Sequence, residues 1–144
     1  MSKRTLYASL ALVALLAAAI WPFVAPADGR ALYVAHCAGC HGVSLEGQPN
    51  WKERLPNGRW PAPPHDATGH TWHHSDVVLF QIVRDGPQSL LGPQYQTDMP
   101  AFAGVLSDAE IAAVLAYIKG TWPPDERAYQ ELMNRPPAER LQQP

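Results

Sequence analysis

Hydrophobic positions in this chain recur at helical spacing, and nowhere is there a convincing strand-like alternation. The clearest pattern runs from Ser107 to Lys119, where Ile111, Val114, Leu115 and Ile118 form one apolar stripe. Ser107-Asp108-Ala109-Glu110 before the stripe is a capping box, and Gly120 stands just past the expected end. A second helix is expected to start near Asp28, a suitable N-cap, because Gly29, Tyr33 and Cys37 fall at i, i+4 and i+8, on one side of a short helix. A third spans Val77 to Arg84, with Ser75-Asp76 as the cap and Asp85-Gly86 as the stop. Beyond Trp122-Pro123-Pro124, the segment Asp125 to Asn134 reads as a short polar helix and Arg135-Pro136-Pro137 to Pro144 as a frayed tail. These elements predict an all-α fold of a few helices joined by long Pro-rich loops.

The N-terminus has a different pattern. Lys3 and Arg4 precede an apolar run from Leu6 to Ala25, interrupted only by Ser9, Trp21 and Pro22. Such a segment is a signal peptide or a membrane anchor. Its length of about 20 residues suffices to span a bilayer, which favours an anchor, whereas its alanine content and the cleavage-like Ala25-Pro26-Ala27 favour removal. Positive-inside orientation puts the rest of the chain outside the cytoplasm in either case. The expected organisation is therefore residues 1–27 as signal peptide or anchor, 28–122 as one domain and 123–144 as a polar C-terminal extension.

The chain has 144 residues, enough for one domain, and its 47% hydrophobic content is inflated by the N-terminal run. Its 15 prolines imply long loops that bury little, so a core of protein side chains alone would be poorly packed. Without Lys3 and Arg4, nine basic residues face 13 acidic ones, a net charge of about −4. That disfavours nucleic acid as a partner and also docking through a ring of lysines. Lys52, Arg54 and Arg59 make a local basic patch, which reads as a solvated loop before it reads as a docking face.

The specific chemistry lies in Cys37-Ala38-Gly39-Cys40-His41, the covalent attachment signature of c-type haem. Each thiol adds to one haem vinyl group to form a thioether, and on a helical turn the following imidazole reaches the iron from the same side. Three other readings of the cysteines exist. A thioredoxin-like pair needs a strand-helix-strand context that is missing here. A zinc site drawing ligands from the His65 to His74 cluster lacks the regular second-pair spacing of known zinc folds. A lone Cys37–Cys40 disulfide would leave His41 without a purpose. These are the only two cysteines, so no disulfide framework is available.

Taken with Met99-Pro100-Ala101-Phe102 and with Leu115 to Tyr117 in the late helix, Gly29, Tyr33 and Cys37 to His41 resemble a class I, mitochondrial-type cytochrome c of the bacterial single-haem kind. The resemblance covers roughly residues 28 to 122. It implies a cytochrome c fold around one covalent haem c, with the first and last helices crossing where Gly29 meets Tyr117. It also implies His41 as proximal ligand and Met99 as distal ligand, and a proline carbonyl downstream of His41 that accepts its ring N–H. Pro61 and Pro63 are the candidates for that carbonyl, with Pro56 as a further one.

A thioether is a soft, neutral ligand that favours ferrous iron, so His/Met ligation raises the reduction potential. Met1 begins the chain and Met133 lies in a polar tail, which leaves Met99; His65, His70, His73 or His74 would instead give bis-His iron. Four of the six histidines lie between His65 and His74. Neutral imidazoles suit copper or zinc, with Asp66 as an oxygen donor, but the cluster also simply leads into the helix that starts at Ser75, and that reading is preferred over a copper site. With both axial positions filled, no coordination position is open for catalysis, and no other constellation suggests an enzyme. The expectation is an extracytoplasmic one-electron carrier, periplasmic or on the outer face of the cytoplasmic membrane, working between a redox donor and a redox acceptor.

Overall fold

Residues 27–140 are described by a computed structural model; the apolar segment Leu6 to Ala25 lies outside them. Asp28 caps the first helix, α1 (Gly29–His36), its Oδ1 accepting from the backbone N–H groups of Arg30 at 3.0 Å and Ala31 at 3.1 Å. The chain bends at Cys37 and resumes as the single turn α2 (Ala38–His41), so the cysteine motif sits on a helix break and the turn behind it. A long stretch without α-helix follows, containing one 3₁₀ turn (Thr71–His73). It leads into α3 (Asp76–Asp85) and the short α4 (Gln88–Leu91). Next come α5 (Asp108–Thr121), α6 (Pro124–Met133) and the turn α7 (Pro137–Arg140). Among the described residues there are no strands beyond two isolated pairings, Trp60 with Thr97 and Ala103 with Leu106. The fold is all-α.

Three helix ends differ in detail from the sequence expectation. The capping box at Ser107 forms in full, with Ser107 Oγ accepting from Glu110 N and the Glu110 carboxylate accepting from Ser107 N. Gly120, however, lies inside α5 and is not its stop. The helix runs until Trp122, which is extended (φ −70°, ψ 143°) because a residue before proline is excluded from the helical region, and Pro123 follows. Ser75 holds the N-cap position of α3 without a side-chain hydrogen bond; the carbonyl of the Asn134 side chain accepts from Asp76 N–H at 2.7 Å instead. The tail is not wholly frayed, since α7 forms and the Arg140 guanidinium reaches Met133 Sδ at 3.8 Å.

The core is built on the crossing of α1 and α5. Tyr33, Ile111, Val114, Ile118 and Trp122 are essentially inaccessible, and Ala38, Leu45, Leu79, Phe102, Leu106 and Leu115 complete the buried apolar cluster. At the crossing Gly29 lies directly on the Ala113 carbonyl, and a Cβ there would overlap that oxygen and stand 3.2 Å from Tyr117 Cβ. The Gly29–Tyr117 contact expected from the family resemblance is thus present. Tyr33 fills the space behind it, packed against the Tyr117 ring with centroids 5.4 Å apart and donating its hydroxyl to the Gly42 carbonyl at 2.8 Å.

The C-terminal extension folds back onto the domain. Gln130 of α6 is almost fully buried and donates to Asp76 Oδ1 at 2.7 Å and to the His74 carbonyl at 3.3 Å. Tyr129 meets Trp72 and His73 edge-on, with centroids 5.3 and 5.4 Å away.

Candidate functional site

The break after α1 brings Cys37, Cys40 and His41 together on consecutive turns. His41 is buried, and its Nδ1 lies 2.8 Å from the Pro63 carbonyl oxygen. A carbonyl can only accept, so Nδ1 carries the hydrogen and Nε2 keeps its lone pair. Burial holds the imidazole below its usual range, against the opposing effect of the Pro63 carbonyl, so His41 is neutral at pH 7. The ring is therefore a neutral donor with a fixed tautomer, the state a metal ligand requires. Pro63, not Pro61 or Pro56, supplies the carbonyl.

Pro63 is held in place by the loop that leaves the cysteine motif. The Gly47 N–H donates to the His41 carbonyl at 2.8 Å, Gln48 N–H to the Ala62 carbonyl at 2.9 Å, and Ala62 N–H to the Gln48 side chain at 2.8 Å. Gly47 has a positive φ of 69° and packs so closely on Pro63 and Pro64 that a Cβ would collide with the Pro64 nitrogen. Only glycine meets both conditions without strain.

The cysteines are free thiols, Cys37 partly buried and Cys40 exposed. Burial, and then the neighbouring Cys40, push the Cys37 thiol up to about 11. A redox-active Cys-x-x-Cys pair needs a nucleophilic cysteine with its pKa lowered, so the shift runs against the thioredoxin-like reading.

Met99 lies on a separate loop and is partly buried. That loop is pinned on both sides. Before Met99, Trp60 N–H donates to the Gln96 carbonyl at 3.0 Å and Arg59 pairs with Asp98. After it, Phe102 N–H and Ala103 N–H donate to the Val83 and Arg84 carbonyls at the end of α3, at 3.1 and 2.8 Å. Thr97 Oγ1 accepts from Met99 N–H at 3.1 Å, fixing the backbone at Met99 itself.

The histidine cluster does not converge. His65 lies face to face with His41, its ring centroid 4.0 Å away and the planes 21° apart. His70 stacks on Trp51, with centroids 5.1 Å apart, and meets His74 edge-on; His73 packs on Trp72 and Tyr129. Among the described residues no three His, Cys, Asp or Glu side chains are arranged to hold a metal ion. Sequence reasoning missed the stacking of His65 on His41 because no local signal links positions so far apart.

A cleft of about 310 Å³ opens beside Pro63, lined by Trp51, Lys52, Trp60, Pro61, His70 and Tyr95. The Nδ1 of His70 in its wall is buried and has no hydrogen-bond partner in the protein. Two thiols on consecutive turns, a neutral imidazole with Nε2 free and a cleft next to its carbonyl partner together fit a covalently bound haem: Cys37 and Cys40 would hold the macrocycle and His41 the iron.

Comparison with curated proteins and with solved structures finds no match to this chain. The family model described as Cytochrome c matches residues 26–122, which include every element from α1 to α5. Members of that family bind covalently attached haem c and act typically as electron carriers rather than enzymes. With its matched segment spanning most of the chain and its helices arranged around the cysteine motif, this chain belongs to the cytochrome c family.

Proposed function

We propose that this chain is a class I, single-haem c-type cytochrome with His/Met iron ligation, carrying one electron at a time between redox proteins outside the cytoplasm. The hydrogen bond from His41 Nδ1–H to the Pro63 carbonyl carries the reading, because it leaves Nε2 as the only ring donor and holds the imidazole beside the two thiols. Cys37 and Cys40 would hold the macrocycle through thioethers, the S–H of each adding across one vinyl C=C with no oxidant consumed. Bound haem supplies the exchange of a single electron between ferrous and ferric iron.

His41 would hold the iron through its Nε2, and Met99 would supply a thioether sulfur as the second protein ligand. Support for Met99 comes from the backbone bonds that pin its loop on both sides, since a ligand must be held through the redox change to keep reorganisation small. His65 is a poor rival because it lies flat against His41 and so approaches from the same side. Both positions being filled leaves no open site for substrate, which suits transfer through an exposed haem edge.

Residues 1–27 place the domain on the outer face of the cytoplasmic membrane, Lys3 and Arg4 remaining inside. A chain retained in washed membranes after alkaline extraction is the expected result; release of a shortened chain to the periplasm would mean cleavage instead.

The decisive test is the optical spectrum of protein matured with a c-type haem assembly system, oxidised and reduced, including the weak near-infrared band that reports sulfur on ferric iron. We expect a low-spin c-type spectrum with that band, and loss of the band in Met99→Ala. A high-spin or bis-His spectrum in the parent would remove Met99 from the site.

A further inference from the structure

We infer that His65 is a positioning residue for the iron ligand His41: its ring lies flat on the His41 ring and sets the plane in which that imidazole meets the iron. The inference rests on His41 being the proximal ligand. The geometry that carries it is the stack itself, centroids 4.0 Å apart and planes 21° from parallel. At that spacing the two rings are in van der Waals contact, so His41 cannot rotate about an axis through Nε2 without driving an edge into His65.

His65 can act as a fixed wall because its backbone N–H, its carbonyl and its ring Nδ1 are each tied down. Its backbone N–H donates to the Leu45 carbonyl at 2.8 Å, and its carbonyl accepts from Trp122 Nε1–H at 2.7 Å. Leu45 presents that carbonyl from a left-handed conformation (φ 68°) while its side chain is buried, a strained placement held by its surroundings. The His65 ring Nδ1 lies 2.8 Å from Thr71 Oγ1, whose own hydrogen reaches the Pro64 carbonyl at 3.4 Å. With the hydroxyl donating to Pro64, its lone pair accepts from His65 Nδ1–H. The edge of the Tyr33 ring, centroid 6.4 Å away, closes the side towards α1.

The Pro63 carbonyl and the His65 face thus constrain His41 in complementary ways. The carbonyl fixes where Nδ1 points, and the stacked face limits how far the ring swings about that bond. An axial imidazole's plane decides which iron π orbital holds the unpaired electron of the ferric state, and hence how spin is spread over the macrocycle. Proton NMR of the ferric protein reads this directly in the pattern of haem methyl shifts.

The experiment compares those shifts in the haem-bearing parent, His65→Ala and His65→Phe. Removing the ring should alter the order or spread of the methyl shifts, while Phe, which keeps a flat face without the Thr71 bond, should return them towards the parent. The near-infrared sulfur band should persist in all three, showing that the distal side is untouched. A folded, haem-bearing His65→Ala with the parent pattern would overturn the inference. Should His65→Ala fail to mature, His65→Leu reads the same wall by filling the space without a flat face: a changed pattern is expected and an unchanged one again overturns it. A parent without a low-spin His-ligated spectrum would defeat the underlying reading, and is seen before any substitution is compared.

Discussion

Gly29 is the residue on which the helix crossing turns. Its backbone rests on the Ala113 carbonyl with no room for a methyl group, so Gly29→Ala must push α1 and α5 apart or bend one of them. Overpacking of this kind costs about 1–3 kcal/mol, against which alanine's better helix propensity returns only about 1 kcal/mol. We expect net destabilisation, read as a lower denaturation midpoint in guanidinium with an unchanged slope; a midpoint at or above the parent's would mean that the crossing has slack. Tyr33→Phe is a milder probe of the same place. It leaves the packing on Tyr117 intact and removes the hydroxyl from the Gly42 carbonyl, a loss of about 1 kcal/mol. Residues whose role depends on local spacing were legible in the sequence: Gly29, Tyr33 and the Cys37–His41 motif all stand where spacing and resemblance put them. Pro63 was not singled out, because Pro56, Pro61 and Pro63 have the same chemistry and differ only in how the 42–62 loop folds back. The wall formed by His65 had no sequence signal at all, being made by a contact between the helical turn α2 and a loop far along the chain.

At the scale of elements, Asp76 joins three helices. It is the first residue of α3, and its carboxylate accepts from Lys119 Nζ of α5 at 2.7 and 2.9 Å, from Gln130 Nε2 of α6 at 2.7 Å and from Asn134 Nδ2 at 3.0 Å. Partial burial would raise its pKa, but the Lys119 and Gln130 hydrogen bonds, with Asn134 adding to them, outweigh that and hold it below the ordinary carboxylate value. A carboxylate with a depressed folded-state pKa contributes stability that is fully present above its unfolded value, about 3.9, and lost as pH falls through the folded one. Stability should therefore drop in the acid range below pH 4, and Asp76→Asn should be less stable at pH 7 while losing less on acidification. The exposure of the pair limits the ionic part to about 1 kcal/mol or less. Comparing urea midpoints of parent and variant at pH 7 and near pH 3 checks this; parallel losses in both would assign the acid sensitivity elsewhere. Helix existence was readable wherever a cap and an apolar stripe coincide, as in α5. The docking of α6 was not, since its polar surface hides the one buried contact, Gln130, and its partner is the N-terminus of a helix more than 50 positions earlier.

At the scale of the molecule, the helices are too short to stand alone. Among the described residues the longest, α5, has 14 residues, and α1 and α3 have eight and ten. Isolated helices shorter than about 12–15 residues are marginal in water, so these elements depend on what they pack against. The α1–α5 crossing supplies one such surface, but the stretch from Gly42 to His70 contains no α-helix and is held by scattered backbone bonds to carbonyls of Leu45, Ala62 and their neighbours. Large apolar side chains stay exposed around it, among them Val43, Leu55 and Val105. A flat macrocycle tied to both Cys37 and Cys40 would give that stretch an apolar surface to fold on and would fasten it to α1 at the same time. It follows that the covalent links matter to the fold as well as to electron transfer. We expect a Cys37→Ala, Cys40→Ala variant to lose most of its helical circular dichroism and its cooperative thermal transition, with residual helicity confined to α5, which brings its own capping box. Native helix content in that variant would show instead that the α1–α5 core suffices, and that the long loop is ordered by its own glycines, prolines and hydrogen bonds.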